Sequence, residues 1–272
     1  MDSSALLPVA ALLLCAGLLA GLVSGLLGVG GGIVLVPVLE ALLGTIGVPA
    51  EWRMHVAVAT SMSTIIPTAI ASSRAHHVRG ATDWNLIRRW APGLVAGGLI
   101  GSVLAARAGG SVLTGLFGLV ALLIAVKMYL PFDHWQIRKQ LPLGLGGNLI
   151  FGFIATISAM LGIGGGMLGV PAMTLLGKPL HQAVGTAALF GVLIGVPATL
   201  GYLSARPAIA LPGLTVGLVS VLGFALIAPA SVLMAPQGAK LAHSLSRRAL
   251  SQAFAALLFV VAIRMFYRTF AT

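Results

Sequence analysis

The chain has 272 residues, 58% of them hydrophobic and 8% charged, with a mean hydropathy of +1.07; an ordinary soluble domain carries about 25% charged residues, so a soluble globular protein is excluded and the lipid bilayer is the solvent for most of the chain. The formal net charge is +11, but Lys and Arg sit in short stretches between apolar runs, a pattern that orients helices by the positive-inside rule and argues against nucleic-acid binding. Cys15 is the single cysteine, which excludes an internal disulfide and any CxxC metal or redox site.

The start, Met-Asp-Ser-Ser, has no basic region ahead of the apolar run from Ala5 to Ala20, so the first apolar segment is expected to stay as a helix and not to be cleaved as a signal. Apolar runs broken by Pro, Gly and charge then define ten candidate segments, at about 5–27, 31–47, 55–73, 91–106, 112–130, 141–161, 166–177, 181–203, 210–235 and 249–268. Segments 31–47 and 166–177 are short for full crossings at about 1.5 Å per residue. Each follows a glycine cluster, and both are read as half-helices or steeply packed short helices. The expected fold class is an all-α polytopic membrane protein.

Two halves repeat each other. Gly-Val-Gly-Gly-Gly at 28–32 recurs as Gly-Ile-Gly-Gly-Gly at 162–166, and the same offset of 134 pairs Ser24 with Ser158, Leu27 with Leu161 and Pro37 with Pro171. Further on, His55-Val-Ala-Val-Ala-Thr60 matches His181-Gln-Ala-Val-Gly-Thr186, and 117–128 matches 254–265 with Lys127 opposite Arg264. The chain is therefore divided into a first repeat, 1–135, and a second, 136–272. In the first, the connection after the third segment is basic (Arg74, Arg79, Arg88, Arg89) and the next holds Arg107 alone; in the second, Arg206 stands alone and Lys240, Arg247 and Arg248 follow one connection later. This exchange predicts two inverted five-segment repeats, with 74–90, 131–140 (Arg138, Lys139) and 236–249 on the cytoplasmic side and 107–111 and 204–209 outside. In such repeats the substrate site forms near the midplane where the halves meet. Arg264 and Arg268 fit an outside C-terminal end poorly.

The glycine clusters lack the G-x-G-x-x-G spacing and the strand of a dinucleotide site. Small residues let membrane helices pack closely, which is one role for them. A break at glycine also exposes backbone N–H groups and the positive dipole end of the next helix, which together favour an anion. On this reading Gly30, Gly31 and Gly32, with Gly164, Gly165 and Gly166, aim two helix starts at one central site. Ser24 and Ser158 stand one turn before the glycines, and Thr60, Ser61, Ser63, Thr64 and Thr186 cluster at the second repeated motif. Membrane hydroxyls also bond back to their own helix, so repetition is what singles these out.

His55 and His181 begin matching segments and are either interfacial caps or carriers of a coupling proton. His76 and His77 fall in a basic connection and are expected at the surface. The acidic residues are Asp2, Glu40, Glu51, Asp83 and Asp133, too few along the path for a cation carrier; Glu40 alone lies in an apolar segment, which makes it a candidate proton carrier or a snorkelling helix-end carboxylate. No Ser-His-Asp set, metal-ligand cluster or HExxH is present, so neither an enzyme nor a cofactor is expected.

The segment Gly-Leu-Val-Ser-Gly-Leu-Leu-Gly-Val-Gly-Gly-Gly-Ile-Val-Leu-Val-Pro at 21–37, its second copy ending at Pro171, Ala-Val-Ala-Thr-Ser at 57–61 and the basic stretch 72–80 ending in Gly80 resemble the TauE/SafE sulfite-exporter, or TSUP, transporters over nearly the whole chain. The resemblance implies a multi-pass protein of the bacterial inner membrane that handles sulfite, thiosulfate, organosulfonates such as sulfoacetate and isethionate, or related organic anions. It also implies a substrate region at Ser24, Gly30 to Gly32, Thr60, Ser61, Ser158, Gly164 to Gly166 and Thr186. The second copy reads Gly185-Thr186-Ala187 where a hydroxyl is expected after the threonine, which breaks the symmetry of a hydroxyl cage. The leading expectation is a secondary transporter of a small sulfur-containing anion, coupled to a proton or sodium ion, in an oligomeric state no motif specifies. The alternatives are an anion channel and a non-transporting membrane scaffold.

Overall fold

A helix pairs its backbone groups internally, as hydrocarbon demands, and the computed structural model follows that rule. It describes residues 3–27, 30–129, 141–212, 214–241 and 247–271. Among these are ten helices: α1 (Ser3–Leu27), α2 (Gly32–Thr45), α3 (Ala50–His77), α4 (Trp84–Arg107), α5 (Gly110–Tyr129), α6 (Leu145–Leu161), α7 (Gly166–Leu175), α8 (Leu180–Ser204), α9 (Val221–Leu241) and α10 (Arg247–Ala271). A small antiparallel hairpin, β1 (Thr215–Val216) and β2 (Val219–Ser220), precedes α9. Six helices are long and apolar enough to cross a membrane: α1 over Leu7–Leu26, α3, α4, α5, α8 and α9. α2, α6 and α7 are shorter apolar helices.

The candidate segments agree with these helices except where charge was read as a break. Arg74 lies in the last turn of α3, while Arg88 and Arg89 belong to α4, so the connection expected over 74–90 shrinks to 78–83. A long basic side chain can stay in a helix and carry its charge to the interface. Likewise α9 runs on to Leu241, and the stretch 210–235 opens with the hairpin because Gly217, at φ 58, turns the chain there. The basic connection 131–140 lies outside the described residues.

Large apolar side chains face outward, among them Leu99, Ile100 and Leu104 on α4, Leu149 and Phe153 on α6, and Val260 and Ile263 on α10. The interior is built from small and hydroxyl-bearing residues, and α3 is the most deeply buried of the six long helices. Its Thr60, Ser61, Ser63, Thr64, Thr68, Ser72 and Ser73 are all buried. Lipid repels these groups, so they segregate to the protein side of the helix.

α1 packs on α9, α4 on α6, α3 on α8 and α5 on α10. Exchanging the first five helices for the second five converts the first pair into the second and leaves the other two unchanged. Glycine registers give the directions. Methyl groups placed on Gly17, Gly21 and Gly25 would crowd the carbonyls of Ile227, Ser231 and Ala235 in that order, so α1 and α9 run parallel. Gly93, Gly97 and Gly101 meet the carbonyls of Asn148, Gly152 and Thr156 in the same way, so α4 and α6 are parallel too. Gly191 meets Ile65 and Ala69 while Gly195 meets Met62 and Ile66, which makes α3 and α8 antiparallel.

Each parallel pair is thus a small-xxx-small zipper in which the lack of side chains lets backbones touch. Side-chain bonds fasten both: Ser231 Oγ donates to the Gly17 carbonyl at 2.8 Å. Asn148 accepts from the Gly93 N–H at 2.8 Å and donates to the Arg89 carbonyl at 2.9 Å. Replacing Gly25 or Gly97 by Leu forces backbone apart and should cost about 1–3 kcal/mol or more. A detergent melt should show a lowered Tm for both and no comparable loss for Gly146→Ala, where an added methyl meets nothing within 4 Å.

Candidate functional site

Both glycine clusters interrupt the chain as the repeat predicts. α6 ends at Leu161 with Gly162 in the left-handed region at φ 68; the Gly162 N–H donates to the Ala159 carbonyl and the Ile163 N–H to that of Ser158. Gly164 and Gly165 follow at φ 71 and 76, and α7 starts at Gly166. In the first half Gly30 and Gly31 have φ 84 and 70, and α2 starts at Gly32; residues 28 and 29 lie outside the described set. Left-handed backbone is open to glycine and strained for most other residues, which explains why the motif is glycine in both copies.

The two breaks abut. A methyl on Gly30 would sit 3.6 Å from Gly164 Cα, and one on Gly32 would overlap the Gly162 carbonyl oxygen. That same carbonyl accepts a 2.7 Å bond from Ser61 Oγ. Next to the contact is a narrow, partly enclosed gap with no room for a water-sized sphere. Ser24, Gly30 and Gly164 line it from the breaks; Ala69 and Ser72 of α3 and Ala187, Ala188 and Gly191 of α8 complete it. No charged side chain lines it. Ser24, Gly30 and Gly164 are expected from the repeat. Ser72 opens the basic stretch 72–80 and Ala187 follows Thr186 in the second repeated motif, but neither, nor Ala69, Ala188 or Gly191, is among the expected site residues. A wider hollow beside Arg206 and the hairpin is open at the surface and holds none of the expected residues.

The other expected residues lie around this centre in different roles. Thr60 Oγ1 accepts from the Ser220 N–H at 2.9 Å, and Thr186 Oγ1 accepts from the Asp83 N–H at 3.1 Å. Ser220 in turn caps the start of α9 through Gly223 N–H, and Asp83 caps α4 through Asn85 and Leu86 N–H. Each repeated threonine therefore pins the start of the fourth helix of the opposite half. Neither lines the gap. Ser158, the twin of Ser24, is fully buried with its Oγ unpartnered, and it too lies off the gap.

His55 and His181 are repeated in sequence but not in environment. His55 is buried, with Nδ1 3.0 Å from the Glu51 carbonyl and Nε2 2.8 Å from that of Ala108. Carbonyls only accept, so both bonds exist together when both ring nitrogens carry protons. His181 is exposed.

Glu40 is buried in α2 between two arginines of α10: Arg264 Nη2 lies 3.2 Å from Glu40 Oε2, and Arg268 pairs with Oε1. Arg264 Nη1 also donates to the Pro37 carbonyl at 3.0 Å. These arginines are held by a buried carboxylate, which accounts for their poor fit to a loop-charge rule. Glu40→Gln leaves two guanidinium groups facing an uncharged amide. The expected loss is roughly 1–3 kcal/mol, between that of an exposed pair and a fully buried one, read as a lower Tm that Glu40→Asp partly restores.

Asp83 also pairs with Lys178, tying the 78–83 connection to the residues before α8. Burial alone lifts its carboxyl, but the Lys178 hydrogen bond and charge, with the N–H groups of Leu86 and Asn85, outweigh it and hold the group below the ordinary carboxylate value. A lowered folded-state value stabilises the fold above the unfolded value of about 3.9 and is lost as pH falls through the folded one. Asp83→Asn should lower Tm at pH 7, and the gap to the unmutated chain should close at pH below about 4.

The family described as sulfite exporter TauE/SafE matches residues 13–265. A probable membrane transporter protein of Haemophilus influenzae is 33% identical over 264 residues, 94% of this chain and 98% of its own. The probable membrane transporter protein YunE of Bacillus subtilis is 29% identical over 186 residues, 61% of this chain and 67% of its own. A probable membrane transporter protein of Methanocaldococcus jannaschii is 26% identical over 210 residues, covering 72% and 73%. No solved structure matches the chain.

Proposed function

The chain belongs to the sulfite exporter TauE/SafE family, and on that premise we propose that this multi-pass membrane transporter is a secondary carrier of a small sulfur-containing anion in the bacterial inner membrane, either sulfite or an organosulfonate such as sulfoacetate or isethionate. The observation that carries the reading is the meeting of the two glycine breaks that precede α2 and α7, Gly30 against Gly164 and Gly32 against Gly162, beside a narrow gap lined by two serines and small residues. Backbone N–H groups and helix dipoles attract an anion without the long desolvated cation that would hold it too tightly to release. Ser24, Gly30 to Gly32 and Gly164 to Gly166 contact the substrate on this reading, while Thr60, Ser61, Ser158 and Thr186 support its frame. A proton or sodium ion couples the cycle, with Glu40, His55 and His181 the candidate proton carriers.

The two halves, 1–135 and 136–272, act as inverted repeats. Supporting this, the Asp83–Lys178 pair puts the α3–α4 and α7–α8 connections at one end. The Leu218 N–H bonds the Tyr202 carbonyl near the end of α8, so α9 starts at the opposite end and returns to bring Lys240 back to the first. That end, with Arg74, Arg79, Lys178 and Lys240, is cytoplasmic by the positive-inside rule. Alternating access then works by rocking one half against the other around the abutting breaks.

Protein in liposomes should take up labelled sulfite or one of the sulfonates with saturable kinetics and counterflow. Flux without saturation or counterflow means a channel. No flux and no anion-dependent rise in Tm means a scaffold, because a ligand that binds only the folded state must stabilise it. Gly31→Leu and Gly165→Leu should abolish uptake in protein that still elutes as a folded species; full uptake in both would remove the site from the glycine breaks.

A further inference from the structure

α3 carries one buried hydroxyl that behaves unlike its neighbours. Ser63, Thr64, Thr68 and Ser73 each donate back to a carbonyl three or four residues earlier, at 2.7 to 3.0 Å. This is the usual way for a membrane helix to satisfy Ser and Thr. Ser72, 1% exposed, makes no such bond, and its Oγ has no partner at all. It is also the α3 hydroxyl that lines the gap beside Gly30 and Gly164. Buried polar groups are rarely left unpaired without a reason, and here the unpaired donor borders the space where the two breaks meet.

We propose that Ser72 is a substrate-binding residue: when the breaks part to widen the gap, its Oγ–H donates to one oxygen of the transported oxyanion, whose other oxygens face Ser24 and the glycine backbone at 30 and 164. The assignment rests on the transport reading above. The offset of 126 that relates Thr60 to Thr186 places Ala198, without a hydroxyl, at the twin position on α8. Thr199 and Ser158 in the second half are also buried and unpartnered but do not line the gap, so Ser72, towards the end of α3 that carries Arg74 and His76, is the unpaired hydroxyl that borders it. Ser72 reaches the anion from the basic, cytoplasmic-side approach.

The test is uptake by proteoliposomes of whichever panel anion the unmutated chain transports. Ser72→Ala should raise KM roughly tenfold or more, the loss of one hydrogen bond to a charged group. Turnover should stay within about twofold and the anion-free Tm should be unchanged. The Tm rise on adding anion should shrink in parallel. Ser73→Ala, which removes a hydroxyl satisfied within the helix, should leave KM as it was. An unaltered KM in folded Ser72→Ala overturns the assignment while leaving the transporter reading standing. No uptake and no anion-dependent Tm rise in the unmutated chain overturns both.

A second measurement does not depend on the alanine variant. Ser72→Cys in a Cys15→Ser chain should react with a membrane-impermeant maleimide from the basic face of sealed vesicles and not from the other, with isethionate slowing the reaction if it is transported. Labelling from the opposite face alone, or none from either, counts against Ser72 lying on that approach.

Discussion

Inside a bilayer, backbone that leaves the helical path must find partners within the protein, because no water is there to supply them. The architecture turns on how two such departures meet. The left-handed glycines at 30, 31, 162, 164 and 165 bring the start of α2 against the break that precedes α7. The Gly162 carbonyl lies so close to Gly32 that no side chain fits between them, and it is bonded by Ser61. Side chains at these positions would separate the halves and leave freed backbone groups in an apolar medium.

Around the contact, polarity is arranged inside out relative to a soluble protein, but most of it is structural. Thr60 and Thr186 each clamp the start of the fourth helix of the opposite half, so the third helix of one repeat is tied to the fourth of the other in both directions. Most α3 hydroxyls are satisfied within their own helix. Glu40 ties α2 to α10 through two arginines. The gap, by contrast, is lined by neutral groups alone.

Much of this was legible before any coordinates. The first and eighth segments, expected at 5–27 and 181–203, are helices Ser3–Leu27 and Leu180–Ser204, because a bilayer forces long apolar runs into helices and Gly and Pro mark their ends. The breaks at 30–31 and 164–165 keep the offset of 134 because only glycine adopts their backbone angles readily. Boundaries drawn at charged residues were drawn too early, since Arg74, Arg88 and Arg89 extend from helix ends. Of the residues that repetition singles out, Ser24, Gly30 and Gly164 line the gap and Thr60, Ser61, Ser158 and Thr186 do not; it does not single out Ser72, Ala69 or Gly191, whose positions in the other half hold different residue types.

By itself, the sequence determined the membrane class, the helical segments, the duplicated glycine breaks and the family, since hydropathy and backbone permissiveness are local properties readable residue by residue. Which polar groups are paired and which are left unpaired was decided by the tertiary structure. Glu40 and Arg264 stand 224 residues apart in the chain, and Thr60 and Ser220 stand 160 apart. Their pairing, and the unpaired state of Ser72, depend on which helices lie side by side, a property of packing that no local pattern carries.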